Sequence, residues 1–155
     1  MNNYEIISDN CKILWKEGYN LTTEKYTQVS GYIFNEKEEL LIVKNDNSWT
    51  IPGGHPELYE YTYGTLIREV MEEAGVSIKD IKYLGAVEVI ENNEKYYQLR
   101  YVAKVDKIYE FKKEYEINER KFVKLEELNK YIKWSNGITF QAQLKSVDKL
   151  FNKNI

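Results

Sequence analysis

From Tyr63 to Ala74 the apolar residues Tyr63, Leu66, Ile67, Val70 and Ala74 recur at offsets of 3, 4, 7 and 11. That is the period of one helical face. Gly75 follows where the helix should stop, since glycine takes the left-handed conformation of a helix end at little cost. The segments on either side have another period. YTQVSGYIF (26–34) and LLIVK (40–44) read as strands around the polar turn NEKEE. YLGAVEVIE (83–91) and KYYQLRYVAKV (95–105) read as a second pair joined at Asn92 and Asn93. KFVKL (121–125) reads as a last strand, with EELNKYI a short helix behind it. SNGITFQAQLKSVDKLF then closes as an amphipathic helix, with Phe140, Leu144, Val147 and Phe151 on one side. Strands interrupted by helices in this order predict an α/β (α+β) fold with a mixed central sheet.

The 155 residues suit one domain, 1–155, with a core of useful size. Residues 1–25 form an extension whose role the sequence leaves open between an added strand, cover for a dimer edge and simple packing. A chain 43% apolar and 30% charged is expected to be globular and soluble. The net charge of −3 argues against duplex nucleic acid as a partner. Cys11 is the sole cysteine, which excludes an intrachain disulfide and a cysteine metal cluster. The start MNNYEIISDNCKILW lacks a basic segment followed by a long apolar run, so no secretory signal is expected. No apolar run approaches a membrane span, so no membrane partner and a cytoplasmic location are expected.

Glu69, Glu72 and Glu73 crowd into five positions of the helix. Like charges at such spacing repel and weaken it. At 100° per residue Glu69 and Glu73 fall together beside the apolar stripe, with Glu72 next round. Upstream, Gly53 and Gly54 permit a tight backbone path close to a ligand, and Glu57 and Glu60 lie on the loop feeding the helix. Carboxylates at this density suit a hard divalent cation such as Mg²⁺ or Mn²⁺. Arg68 can hold loop against helix by pairing with a loop glutamate such as Glu60. The bland alternative, a solvated acidic face, leaves the glycine pair, Arg68 and the spacing unexplained.

GHPELYEYTYGTLIREVMEEAGV, Gly54 to Val76, resembles the Nudix hydrolase signature at each defining position: Gly54, Glu60, Arg68, Glu69, Val70, Glu72, Glu73, Gly75 and Val76. The preceding WTIPG is similar to the usual approach to that box. The resemblance implies an α/β/α sandwich over residues 26 to 151. It implies Mg²⁺ (or Mn²⁺) held by Glu69, Glu72, Glu73, Gly54 and a loop acid, Glu116, for which Glu114 and Glu119 compete. It implies a catalytic set of Glu69, Glu116 and Arg68, in which either Glu69 or Glu116 takes the proton of the attacking water. Gly53, Gly54, Glu57 and Arg100 are the expected substrate contacts. The implied reaction cleaves the pyrophosphate bond of a nucleoside diphosphate linked to another moiety. Nucleoside triphosphates, ordinary or oxidised, and nucleotide sugars all qualify, and a non-catalytic nucleotide-sensing module is the alternative. A homodimer is possible.

Two positions depart from the family pattern. Tyr59 stands where Gly is frequent, and Gly64-Thr65 where small helix formers are common. The absence of proline after Pro56 weighs against the ADP-ribose-cleaving group. His55, the one histidine, is a candidate phosphate contact or acid, against the simpler reading of a tolerated loop residue. Trp49, Tyr97, Tyr101 and Arg100 are candidates for base contact. Tyr97, Leu99 and Tyr101 share one strand face and Tyr96, Gln98 and Arg100 the other. The sequence does not say which face is core.

Overall fold

The computed structural model describes residues 3–111 and 117–152. Along the chain run β1 (Glu5–Ser8), β2 (Cys11–Glu17), β3 (Tyr26–Phe34), β4 (Leu40–Asn45), β5 (Ser48–Thr50), β6 (Gly53–Gly54) and α1 (Thr62–Ala74). Then come β7 (Val76–Glu91), β8 (Glu94–Ile108), β9 (Ile117–Val123), two 3₁₀ turns at Leu125–Lys130 and Lys133–Asn136, and α2 (Ile138–Asn152). The main sheet runs β1-β2-β7-β8-β3-β4-β5, with β6 added to β3 and β9 added to β4. The β3–β8 pairing is parallel and the others are antiparallel, so the sheet is mixed as expected.

Alternation along the strands divides the core in two. Val29 and Ile33 of β3, with Leu41 and Val43 of β4, meet Leu66, Val70 and Ala74 of α1. Tyr32 and Phe34, with Leu40 and Ile42, meet Phe140 and Val147 of α2. The period-2 pattern therefore puts one helix on each face of the sheet. Both faces are closed by apolar burial.

The helix spans the predicted residues, and Gly75 ends it in the left-handed region (φ 65°), its N–H donating to Met71 O at 2.9 Å. Its buried stripe is narrower than the sequence pattern: Leu66, Val70, Ala74 and Thr65 are buried, while Tyr63 and Ile67 are 47% and 42% exposed. Both β7 and β9 begin earlier than their apolar patterns, and β7 carries register shifts near Ser77, Lys79 and Tyr83. Asn92 and Asn93, both at positive φ (51° and 67°), make the two-residue turn into β8.

Two strands were not legible in the apolar pattern, β1 and β6. In the N-terminal extension β2 pairs with β7 from Cys11↔Glu91 to Glu17↔Gly85, adding a strand to the sheet. No described helix is long and apolar enough to cross a membrane. The strands β3 and β4 pair only at Phe34↔Leu40 and then part. Beyond the split, β6 pairs Gly54 with Val29 and Gly53 with Ser30. This brings the two glycines onto β3 beside Glu69 and Glu73, in the C-terminal half of α1.

Candidate metal and nucleotide site

Arg68 organises the acidic cluster. Its Nε donates to Glu60 Oε2 at 2.7 Å and its Nη2 to Glu60 Oε1 at 3.2 Å, a two-pronged pair. Nη1 donates to Glu69 Oε1 at 2.8 Å and Glu72 Oε2 at 3.2 Å, and lies 3.6 Å from Glu57 Oε1. Nη2 also donates to the carbonyl of His55 at 3.0 Å. One guanidinium thus ties the loop to two turns of the helix. Glu60 accepts further bonds from Thr65 Oγ1 (2.6 Å) and the Glu57 N–H (2.9 Å). Together with Arg68 these hold its carboxyl down at about 2. Glu60 is therefore a permanent anion that seats Arg68.

The other acids lie in a different environment. Burial raises the Glu69 carboxyl despite its bond to Arg68. Burial pushes Glu73 up to about 8, with the Glu69 and Glu72 charges adding to it and a hydrogen bond from Gly53 opposing. That bond, Gly53 N–H to Glu73 Oε1, is 2.8 Å long. Glu72 projects further out, its side chain 54% exposed. The glycine pair is required by contact. A Cβ on Gly53 would lie 2.3 Å from Ser30 Oγ, and one on Gly54 2.5 Å from Glu69 Oε1.

This donor set fits a hard divalent cation. It offers carboxylate oxygens only, on one helix face, with a side-chain-free backbone cradle over Glu69. Among the described residues no three acidic, histidine or cysteine side chains enclose an ion as they stand. Arg68 Nη1 is the cation that now lies between Glu57, Glu69 and Glu72.

The structure brings Gly53, Gly54, Glu57, Glu60, Arg68, Glu69, Glu72 and Glu73 together. Glu114 and Glu116 lie outside the described residues. Glu119 is exposed on β9, opposite Lys44. His55 Nδ1 is 2.7 Å from the Thr27 carbonyl, which fixes the ring against β3. Trp49 packs edge-on against Tyr131.

The two faces of β8 are now assigned. Tyr97, Leu99 and Tyr101 belong to the core beneath α1. Tyr97 donates to Glu88 and stacks on Tyr19, and the Tyr101 hydroxyl pairs with Thr62 Oγ1. Both tyrosines are thereby used in packing, which corrects their candidacy for base contact. Arg100 lies on the opposite face, under α2, among Gln28, Gln98 and Gln143. Those three glutamines were not singled out in the sequence. The alternation of β3 and β8 carried a signal for the first two, but nothing local announces Gln143.

The fold agrees with comparison to known proteins. The NUDIX domain pattern matches residues 25–142, and the chain belongs to that family. YtkD of Bacillus subtilis (strain 168), whose name calls it an 8-oxo-dGTP diphosphatase, is 33% identical over 69 residues. That match spans 44% of this chain and 44% of YtkD, so under half of either protein is compared. A mutant form of the Bacillus subtilis pyrophosphohydrolase BsRppH superposes with a TM-score of 0.78 at 19% identity, covering 90% of this chain and 92% of that one. A UDP-X diphosphatase superposes with a TM-score of 0.66 at 19% identity, covering 88% and 67%. At such identities the structural likeness speaks for the fold.

Proposed function

We propose that this chain hydrolyses the pyrophosphate bond of a nucleoside diphosphate derivative with Mg²⁺ or Mn²⁺. The observation that carries the reading is the convergence of Glu69 and Glu73 on the Gly53-Gly54 backbone, with Arg68 tying Glu72 and the loop to the same helix. The names of the similar proteins support the substrate class: an 8-oxo-dGTP diphosphatase, a pyrophosphohydrolase and a UDP-X diphosphatase. Nudix hydrolases generally use divalent ions. A bound Mg²⁺ or Mn²⁺ would be held by Glu69, Glu72, Glu73 and the Gly54 carbonyl, with Glu116 a further ligand, and would neutralise phosphate charge and acidify water.

The chain's own groups supply the rest. Gly53 and Gly54 let the diphosphate approach the backbone without a side-chain clash. Arg68 positions Glu69 and Glu72 and stands close to the phosphate charge. A carboxylate, either Glu69 or Glu116, takes the proton of the attacking water. The complete set of box acids favours turnover over a sensing role.

A panel of nucleoside triphosphates, oxidised purine triphosphates and nucleotide sugars, with products resolved by chromatography, tests this. Turnover should require Mg²⁺ or Mn²⁺ and stop in excess chelator. Equal turnover in chelator, or none on any member of the panel, overturns the reading.

A further inference from the structure

On the α2 side of the sheet, two strands away from the acidic cluster, Arg100 is 8% exposed. No acidic side chain pairs with it among the described residues; every acceptor that it meets is neutral. Its Nε donates to Gln143 Oε1 at 3.3 Å. Its Nη1 donates to Gln28 Oε1 and to the Leu99 carbonyl, both at 3.2 Å, and its Nη2 to Gln98 Oε1 at 3.1 Å. Burial without a counter-ion lowers its pKa. A buried charge costs several kcal/mol unless an opposite charge or full hydrogen bonding offsets it. An aliphatic residue would be the cheaper choice on this face of the sheet, whose core includes Tyr32, Val102 and Phe140.

The niche also has donors to spare. Four contacts leave one of the five guanidinium hydrogens over. Gln143 Oε1 already accepts from Tyr32 Oη at 2.6 Å, which orients the amide. Its Nε2 group donates to nothing among the described residues, although Gln143 is buried. Ser30 Oγ, also buried and in register with Arg100, likewise lacks a partner there. Buried donors in excess call for an acceptor-rich ligand.

The position fits a nucleotide. Arg100 is in register with Ser30, and Ser30 with Gly53, whose N–H meets Glu73. Two strand spacings of roughly 4.8 Å separate Arg100 from the glycine pair, about 10 Å in all. That is within reach of a nucleoside laid between its base edge and its phosphate. Gln28 and Gln98, the side chains that the Nη atoms meet, are both only half-buried. Their amide oxygens are replaceable acceptors.

We propose that Arg100, with Gln28, Gln98 and Gln143, reads the acceptor edge of the substrate's base and selects a guanine-type carbonyl edge over adenine. This rests on the nucleotide-hydrolase reading above. The incoming base displaces the Gln28 and Gln98 amide oxygens and presents paired acceptors, as guanine does at O6 and N7. Adenine would set its amino donor against the donors of the niche, leaving both unpaired.

The test is calorimetric binding of GMP and AMP to the full chain in chelator, alongside kcat/KM for GTP and ATP with Mg²⁺. The wild type should favour the guanine nucleotide at least about fivefold in both measurements. Arg100→Met should bring the ratio to near one, chiefly by weakening guanine. A structural role alone would lower both affinities equally. Where Arg100→Met fails to fold by circular dichroism, Arg100→Lys keeps the charge without the two-pronged geometry and should lose most of the preference. Equal binding of GMP and AMP, absence of saturable GMP binding, or a preference that survives both substitutions overturns the proposal. Equal kcat/KM for GTP and ATP overturns it while leaving the hydrolase intact. If neither triphosphate is hydrolysed but GMP is still preferred in an Arg100-dependent way, it is the choice of substrate for the hydrolase reading that fails.

Discussion

Gly54 and Glu69 stand so close that a Cβ on the glycine would lie 2.4 Å from the carboxylate carbon of the glutamate. The missing side chain is what lets the Glu69 carboxylate rest against the loop backbone. Gly54→Ala must therefore push Glu69 aside, away from Glu72 and Arg68. Displacing the support of a metal-ligand set typically costs about 10–100-fold in affinity. Mn²⁺ titration followed by electron paramagnetic resonance should show that loss in Gly54→Ala, with the melting temperature changed far less. Unchanged Mn²⁺ affinity would remove Glu69 from the metal-binding set.

Glu73 gives a pH signature in the metal-free protein. Its carboxyl is raised from 4.5 to about 8, so the folded state holds a proton that the unfolded state has released across that window. Stability in chelator should then fall as pH rises from about 4.5 to about 8 and level off above. Glu73→Gln should flatten this slope and be the more stable form at pH 8 and higher. Saturating Mg²⁺ should reverse the trend, because binding requires the ionised carboxylates. Urea midpoints measured at several pH values, with and without Mg²⁺, decide the matter.

Both departures from the family pattern have structural consequences that stability can measure. Gly64 lies inside α1, and a Cβ there would meet only Glu60 Cγ at 3.5 Å and Tyr61 Cβ at 4.0 Å, ordinary contacts. Gly64→Ala should stabilise the chain by about 0.5–1 kcal/mol. Tyr59 is 96% exposed at φ 66°, a conformation that costs a residue with a Cβ about 1 kcal/mol or more. Tyr59→Gly relieves that strain but gives the unfolded chain more freedom. Its net effect should therefore be smaller than that of Gly64→Ala.

How far the sequence announced this arrangement depends on the range of the forces involved. The bounds of β3 and α1, and the stop at Gly75, were legible because local periodicity and glycine conformation decide them. The pairing of Arg68 with Glu60 was legible for the same reason, since the partners lie eight residues apart on a loop and the helix it feeds. Assigning the faces of β8 required knowing which helix covers which side, a tertiary fact. The Tyr97 and Tyr101 candidacies failed there, and Gln143, 43 residues from Arg100, was invisible. The two residues of β6 are too short for any pattern and exist only because β3 and β4 part company.

The N-terminal extension yields the last prediction. Glu88 is 2% exposed, and four groups hold it: Tyr4 Oη at 2.5 Å, Tyr97 Oη at 3.0 Å, and Lys16 and Lys95 Nζ each at 3.4 Å. Burial works to raise this carboxyl, and the hydrogen bonds and lysines outweigh it, leaving it lowered. Two of the four partners, Tyr4 and Lys16, come from residues that precede the family match at residue 25. A depressed carboxyl contributes stability above its unfolded pKa and loses it as pH falls through the folded value. Tyr4→Phe should thus cost about 1.5–3 kcal/mol at pH 7, the range for a hydrogen bond to a charged group, and cost little once Glu88 is protonated. A chain started at residue 25 should do worse. It loses Lys16 as well, the Trp15 Nε1 bond to Ser146 at 2.9 Å, and the β2 cover along β7. The exposed β7 edge should then promote association between chains. Urea unfolding at pH 7 and at low pH, with light scattering of the shortened chain, checks both effects. A shortened chain that remains monomeric with the wild-type midpoint would show that the extension is dispensable to the fold.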